Sequence, residues 1–510
     1  MAYSQKLVPV TFPAPRKTLL FGILTFWGLV GVCLVSLFLG EVGFGGGGST
    51  RYYLIPWCIA TGAVIAAPSV YLFYKGRFDP FHPLVFPAWS YFFPGFFIGG
   101  LVFAAGISQP YFLAFIQDES YNLPLTFAYV MLGYGGLTIG FALPYGRRIG
   151  TWVGSKLPSW KIPDERIVFP ALVLLVLGLA NTVLAFIQGV IGFQKIEEIG
   201  IFDGIIFLLS LFLLESQFIL WLYIFRSKSF GFLQIGILAV LIISGLARSA
   251  FQGNRGSLLQ ILVLVGFAYT FSGRKLTGKH YALGGVLVTF ALVGGMIYGT
   301  TFRSIKESQE QVSFDQYAGV IATTIDRLSD QDIGTSLSTG FSALAERIDA
   351  VSPLAVVVSN YEALAPYEEI WGINDNIYVD TVTFFIPRVV WPDKPVSIEP
   401  SKYADLYFNF PENAFTITPM GDLLRNFGPI GVPLGMIFLG LLMRVLYSSL
   451  VEGQPFSFWR STLFYMILIN AISFEGVFSL IIPLIFKVGL VTVLGVVIVN
   501  VCAEAIKTSR

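Results

Sequence analysis

Apolar stretches long enough, or nearly long enough, to cross about 30 Å of hydrocarbon recur along this chain, and nothing else in it constrains the fold as much. Twelve stand out, running roughly Thr18–Gly40, Tyr53–Tyr74, Leu84–Ile107, Leu125–Leu143, Ile167–Gln188, Ile201–Phe225, Phe232–Ala250, Ser257–Ser272, Leu283–Gly299, Gly428–Tyr447, Leu463–Phe474 and Leu484–Ala505. Only 12% of the 510 residues are charged, against about 25% in a soluble domain. The reading is an all-α polytopic membrane protein with about twelve transmembrane helices. The eleventh segment is short, and Val477–Pro483 after it reads as a re-entrant or interfacial piece. No internal duplication is visible, which weakens a transporter built from repeats.

Lys and Arg set the expected orientation. With the N-terminus inside, alternate loops carry Lys6, Arg16, Lys17; Lys75, Arg77; Arg147, Arg148, Lys156, Lys161, Arg166; Arg226, Lys228; Arg274, Lys275, Lys279; Arg444, Arg460; and Lys507, Arg510. The short loops of the other side hold Arg51, Lys195, Arg248 and Arg255, with Lys487 near the outer end of the last span. Nineteen cations against five place both termini in the cytoplasm. No small-residue cleavage site follows the first span, so it reads as a retained anchor. GGGG at 45–48 reads as a flexible outer loop.

The expected organisation is residues 1–300 with spans one to nine, 301–427 as one large extracytoplasmic loop, and 428–510 with spans ten to twelve. The loop holds 8 Lys/Arg against 18 Asp/Glu, which fits a non-cytoplasmic location. Phe314, Tyr317, Val320, Ile321, Ile325 and Leu328 recur at helical spacing, as do Leu337, Phe341, Leu344, Ile348, Val351, Leu354 and Val358. They predict two amphipathic helices packed on the membrane domain or lying in its interface. A third apolar piece, Ile377–Ile386, runs into FFIPRVVWPDKP, where three prolines stop any regular element.

Several chemistries are excluded. The three cysteines lie in apolar stretches, so there is no disulfide framework. His82 and His280 both fall in expected cytoplasmic loops. The outer face therefore lacks a His/Cys zinc site, a Ser-His-Asp triad and a Cys-His pair. No Walker-type loop is present. Nothing points to nucleic acid, and no cofactor is expected.

The outer face is rich in arginine. Arg248 and Arg255 bracket a tight turn in ARSAFQGNRGSLLQ, Arg303 begins the loop, and Arg347 lies in its second expected helix. Arg388 sits among the prolines, and Arg425 lies in GDLLRNFG. Arginine presents a permanently charged fork that binds phosphate oxygens bidentately, so this group favours an anionic ligand over headgroup snorkelling alone. Gly253 and Gly256 let backbone approach a ligand beside Arg255. Asp375, Asp380 and Asp422 are acids able to orient or deprotonate a hydroxyl, and Asp422 shares a helix face with Arg425. Glu215, mid-span in LFLLESQFILW, is a candidate of its own or a structural acid. Glu475 and Lys487 either pair with each other or line one cavity.

GNRGSLLQILVLVGFAYTF, FFIPRVVWPDKP and GDLLRNFGPIGVPLGMIFLGLLMRVLY resemble the corresponding pieces of bacterial O-antigen polymerases, the Wzy-type oligosaccharide repeat-unit polymerases. The resemblance spans roughly Gly245–Tyr447. It implies a metal-independent GT-C-like glycosyltransferase of the bacterial inner membrane that lengthens a glycan carried on polyprenyl diphosphate at the periplasmic side. The implied partners are the polyprenyl-diphosphate-linked oligosaccharide, the lipid bilayer, a chain-length regulator and a flippase. Related ligases carry a histidine in the large outer loop, and residues 301–427 contain none, which argues for a polymerase. On this reading Arg255, Arg388 and Asp380 are catalytic. Arg248, Arg303, Arg347, Trp391, Lys394, Arg425 and Asp422 are substrate contacts, with Trp391 stacking on a sugar face or anchoring at the interface. The alternatives are a transporter or flippase for lipid-linked glycan or another anionic solute, and a non-catalytic scaffold for envelope synthesis.

Overall fold

The computed structural model describes residues 50–508 except 109, 161–162, 193–199, 201, 228–229, 254–255, 275, 307–312, 331–346, 387–389, 392–393, 395–398, 412–414 and 416. The expected span Thr18–Gly40, the GGGG loop, Arg255 and Arg388 lie outside the described residues.

The described residues are all-helical, with no strand. Nine helices among them are long and apolar enough to cross a membrane: α1 Tyr52–Tyr74, α2 Val85–Ala104, α3 Glu119–Ala142, α5 Val168–Ile187, α6 Asp203–Arg226, α7 Phe232–Gln252, α9 Gly278–Lys306, α14 Thr418–Leu450 and α16 Phe478–Ala505. Between them lie α4 Pro144–Lys156, α8 Ser257–Phe271, α10 Phe314–Asp330, α11 Val351–Trp371, α12 Asn376–Thr383, α13 Glu399–Phe408 and α15 Phe458–Asn470. The expected eighth and eleventh spans are α8 and α15, of 15 and 13 residues. At 1.5 Å per residue they reach only about 20 Å, short of the hydrocarbon thickness. The count of twelve full spans is therefore not reached among the described residues. Nor does Val477–Pro483 form a separate re-entrant piece, because α16 already begins at Phe478.

The loop boundaries also move. α9 continues past residue 300 to Lys306. α14 begins at Thr418, and the boundary drawn at 427–428 falls on a kink inside it. Gly428 has φ +67° there, a conformation natural to glycine, and Pro429 follows. Of the two helices predicted in the loop, α10 spans the first periodic stretch. For the second, Leu337, Phe341 and Leu344 lie outside the described residues, and α11 runs on to Trp371. Its first half is not amphipathic: Val351 and the run Leu354–Val358 are all buried. It is enclosed because Gly421 of α14 lies against Leu354 and Val357, and the chain entering α11 lies on Gly95 and Gly99 of α2.

Small residues let the helices close up. α3 and α4 run parallel to α14: Gly140 abuts the Ile437 backbone, Gly440 the Leu137 carbonyl, and Gly150 packs against Val445 and Ser448. Polar contacts then collect at two opposite ends of the bundle. At one end Arg444 and Arg147 share Glu452 at 2.9 and 3.5 Å. There Arg460 donates to the Gly154 carbonyl and Arg226 to Asp164. At the other end lie Arg248, Arg347 and Arg425.

Candidate functional site

Arg425 is the centre of the densest polar cluster in the described structure. It follows Asp422 by one helical step on α14 and donates to it at 3.1 Å. The rest of its fork is shared among three other helices and the turn after α11. Nη1 donates to Glu368 Oε2 at 2.6 Å and to the Ile373 carbonyl at 2.7 Å. Nη2 donates to the Tyr403 hydroxyl at 2.8 Å and to Asn376 Oδ1. Tyr407 donates to the other Glu368 oxygen at 2.6 Å. Asn376 Nδ2 donates to Asp422 and Tyr403, each at 3.1 Å. Asp422 Oδ2 accepts the Ser479 amide at 3.0 Å, where the N-terminal dipole of α16 favours an anion. One guanidinium thus holds α11, α12, α13, α14 and α16 together through charge-assisted bonds.

Burial sets the electrostatics. The side chains of Arg425, Glu368 and Asp422 are 1%, 6% and 0% exposed. Burial pushes the Glu368 carboxyl up against the pull of Arg425. Burial and the neighbouring Glu368 push the Tyr407 hydroxyl up as well. With its Nη donors bonded to protein acceptors, Arg425 acts in this structure as the bolt of the cluster. Sequence reading found Asp422 and Arg425 by their spacing. It missed Glu368, Asn376, Tyr403 and Tyr407, which approach from three separate helices and share no local pattern.

The other expected site residues divide into three places. Arg248 donates to Gln260 at 3.1 Å, and Gln260 reaches Asn470 at 3.4 Å, a second cluster joining α7, α8 and α15. Arg347 pairs with Glu475, and Arg303 is half-buried near the end of α9. Around α12, Lys394 Nζ donates to the Thr383 and Ile386 carbonyls at 2.8 and 3.1 Å. That closes the helix C-terminus, where a cation is favoured. Asp380, on the same helix, lies in electrostatic range of Lys487 on α16, and Phe384 stacks edge-on against Phe486 at 5.2 Å. The expected choice for Glu475 and Lys487 therefore resolves against their mutual pairing: Glu475 meets Arg347, and Lys487 faces Asp380. Trp391 is 37% exposed beside Lys394.

Between α12, α14 and α16 runs an apolar groove of about 490 Å3, lined by Tyr378, Thr381, Val382, Phe427, Leu434 and Phe478 among others. Leu423 and Phe427, on its wall, flank Arg425 along α14. The groove is lined almost wholly by apolar residues. Its polarity suits an apolar chain.

No family model, curated protein or solved structure matches the chain.

Proposed function

We propose that this protein polymerises lipid-diphosphate-linked oligosaccharide repeat units into a surface polysaccharide. It would work in a bacterial plasma membrane, with both termini cytoplasmic and the α10–α13 region on the outer face. The observation that carries the reading is the apolar groove between α12, α14 and α16. A polyprenyl chain occupies the groove, and its diphosphate lies at the outer face.

In the reaction, an acceptor sugar hydroxyl attacks the anomeric carbon of the growing chain. The bond from that carbon to the diphosphate oxygen breaks, and the diphosphate leaves with the electron pair. Arg255 and Arg388 neutralise this charge as it develops, with Arg248, Arg303 and Arg347 in support. Asp380 takes the hydroxyl proton. Lys394 and Trp391 position the first sugar. Arg425 and Asp422 position α12 through Asn376. A chain-length regulator and a flippase are the protein partners of such an enzyme.

The test is polymerisation of a purified polyprenyl-diphosphate repeat unit by the purified protein, read as a ladder of chain lengths. Arg255→Lys keeps the charge and removes the fork, so long chains should disappear while single units persist. Full-length polymer from that variant refutes the clamp. Translocation of lipid-linked units without lengthening by the wild type marks a flippase instead.

A further inference from the structure

Glu215 plays no part in that reaction, yet it lies near the middle of α6, where an ionisable group in a membrane span is a functional candidate by default. Its residue exposure is 0%. Neither carboxyl oxygen has a hydrogen-bond partner among the described residues. The carboxyl rests directly on Gly495 of α16, and a Cβ added there would collide with both oxygens.

Among the described residues, the cations on the elements packed against α6 are engaged elsewhere. α5 carries no charged residue. Arg248 of α7 donates to Gln260, and Arg460 of α15 donates to Gln454 and the Gly154 carbonyl. Arg226, on α6 itself, pairs with Asp164. Lys487 of α16 faces Asp380. The remaining acids are Asp203, at the start of α6, where its carboxylate accepts the Gly200 amide, and Glu504 of α16. Tyr465 of α15 stacks on Phe218 at 4.2 Å, Tyr269 of α8 packs on Phe225, and Tyr223 of α6 accepts from Gln234. An ionised carboxylate enclosed without a counter-charge is strongly disfavoured, and the contact with Gly495 leaves no space on that side for a side-chain partner.

We infer that Glu215 is a proton-binding site at the α6–α16 interface: the packed bundle holds the carboxyl with its proton, and the proton leaves only when the two helices part. Proton occupancy at Glu215 is thereby linked to the packing of the last span against the middle of the bundle.

Infrared difference spectra between wild type and Glu215→Gln, recorded on the full-length protein in membranes at neutral pH, test this. The wild type shows the C=O stretching band of a neutral carboxylic acid, the variant lacks it, and the band shifts slowly in D2O because exchange waits on helix separation. Where the Gln variant does not accumulate, Glu215→Asp assigns the band by moving it. Carboxylate bands from Glu215 in place of the neutral-acid band overturn the proposal, and a sodium dependence of those bands identifies an alkali cation as the true occupant. A neutral-acid band that exchanges in D2O at once overturns the coupling to helix separation.

Discussion

Arg425 and Glu368, 57 residues apart in the chain, meet at 2.6 Å with both side chains enclosed. The pair couples α14 to α11 and, through Asn376, to the helix that edges the groove. Removing one partner of such a pair is costly because the other charge stays buried.

Arg425→Met should therefore lower stability by about 3–5 kcal/mol, measured as a shift in detergent-solubilised melting temperature. Arg425→Lys keeps the charge but loses the fork shared among Glu368, Tyr403 and Asn376, so its loss is intermediate. A methionine variant that melts like the wild type would show that the cluster contributes little.

Gly140 abuts the Ile437 backbone, whereas Gly135, on the same helix, has nothing within 4 Å of an added Cβ. Gly140→Val should cost about 1–3 kcal/mol or more by forcing α3 and α14 apart. Gly135→Ala should be neutral or stabilising by up to about 1 kcal/mol. Thermal denaturation of the two variants side by side checks the helix contact.

His82 supplies a pH dependence whose sign follows from its surroundings. Its Nδ1 accepts the Leu84 amide, and burial, aided by the Arg444 cation, lowers the imidazole to about 3. The unfolded chain takes up this proton at about pH 6.5. Between those values the unfolded state binds more protons, so the contribution to stability falls as pH drops through that window. His82→Asn keeps an acceptor and removes the titration. The wild type should lose stability relative to this variant on acidification from neutral pH. The nearby Asp79 carboxyl, pushed up to about 6 by burial, acts with the opposite sign but is common to both proteins. A difference in melting temperature that stays flat with pH rules the mechanism out.

The Arg347–Glu475 pair is half-exposed, at 59% and 46%, so Arg347→Ala should change stability by no more than about 1 kcal/mol. A large fall in chain lengthening by that variant, with the melting temperature preserved, assigns Arg347 to substrate. Unchanged lengthening leaves it a surface tie.

Thr381 lines the groove on α12, and Thr381→Trp fills it from a half-exposed position that tolerates bulk. The variant should fold normally and make several-fold less long-chain glycan, read from the same ladder. Wild-type ladders from a folded Thr381→Trp protein would remove the groove from the substrate path.

Hydrophobic stretches are local properties, so the chain by itself determined the helical class and the positions of most spans. Helix length is also local, yet α8 and α15 fall short of a full crossing because their apolar runs are trimmed where the chain turns. Pairing is not local. Asp422 and Arg425 share a face by spacing alone, but only the packing of three other helices turned that step into a sealed cluster by adding Glu368, Asn376, Tyr403 and Tyr407. The periodicity of Val351–Val358 looked one-sided in sequence, and only the close approach of α14 and of the α2 glycines decided that this helix is enclosed. Glu215 could be located in its span from the sequence. That it rests on Gly495, with no ion pair to it among the described residues, was decided by how α6 and α16 meet, because burial and counter-charge are supplied by residues far away in the chain.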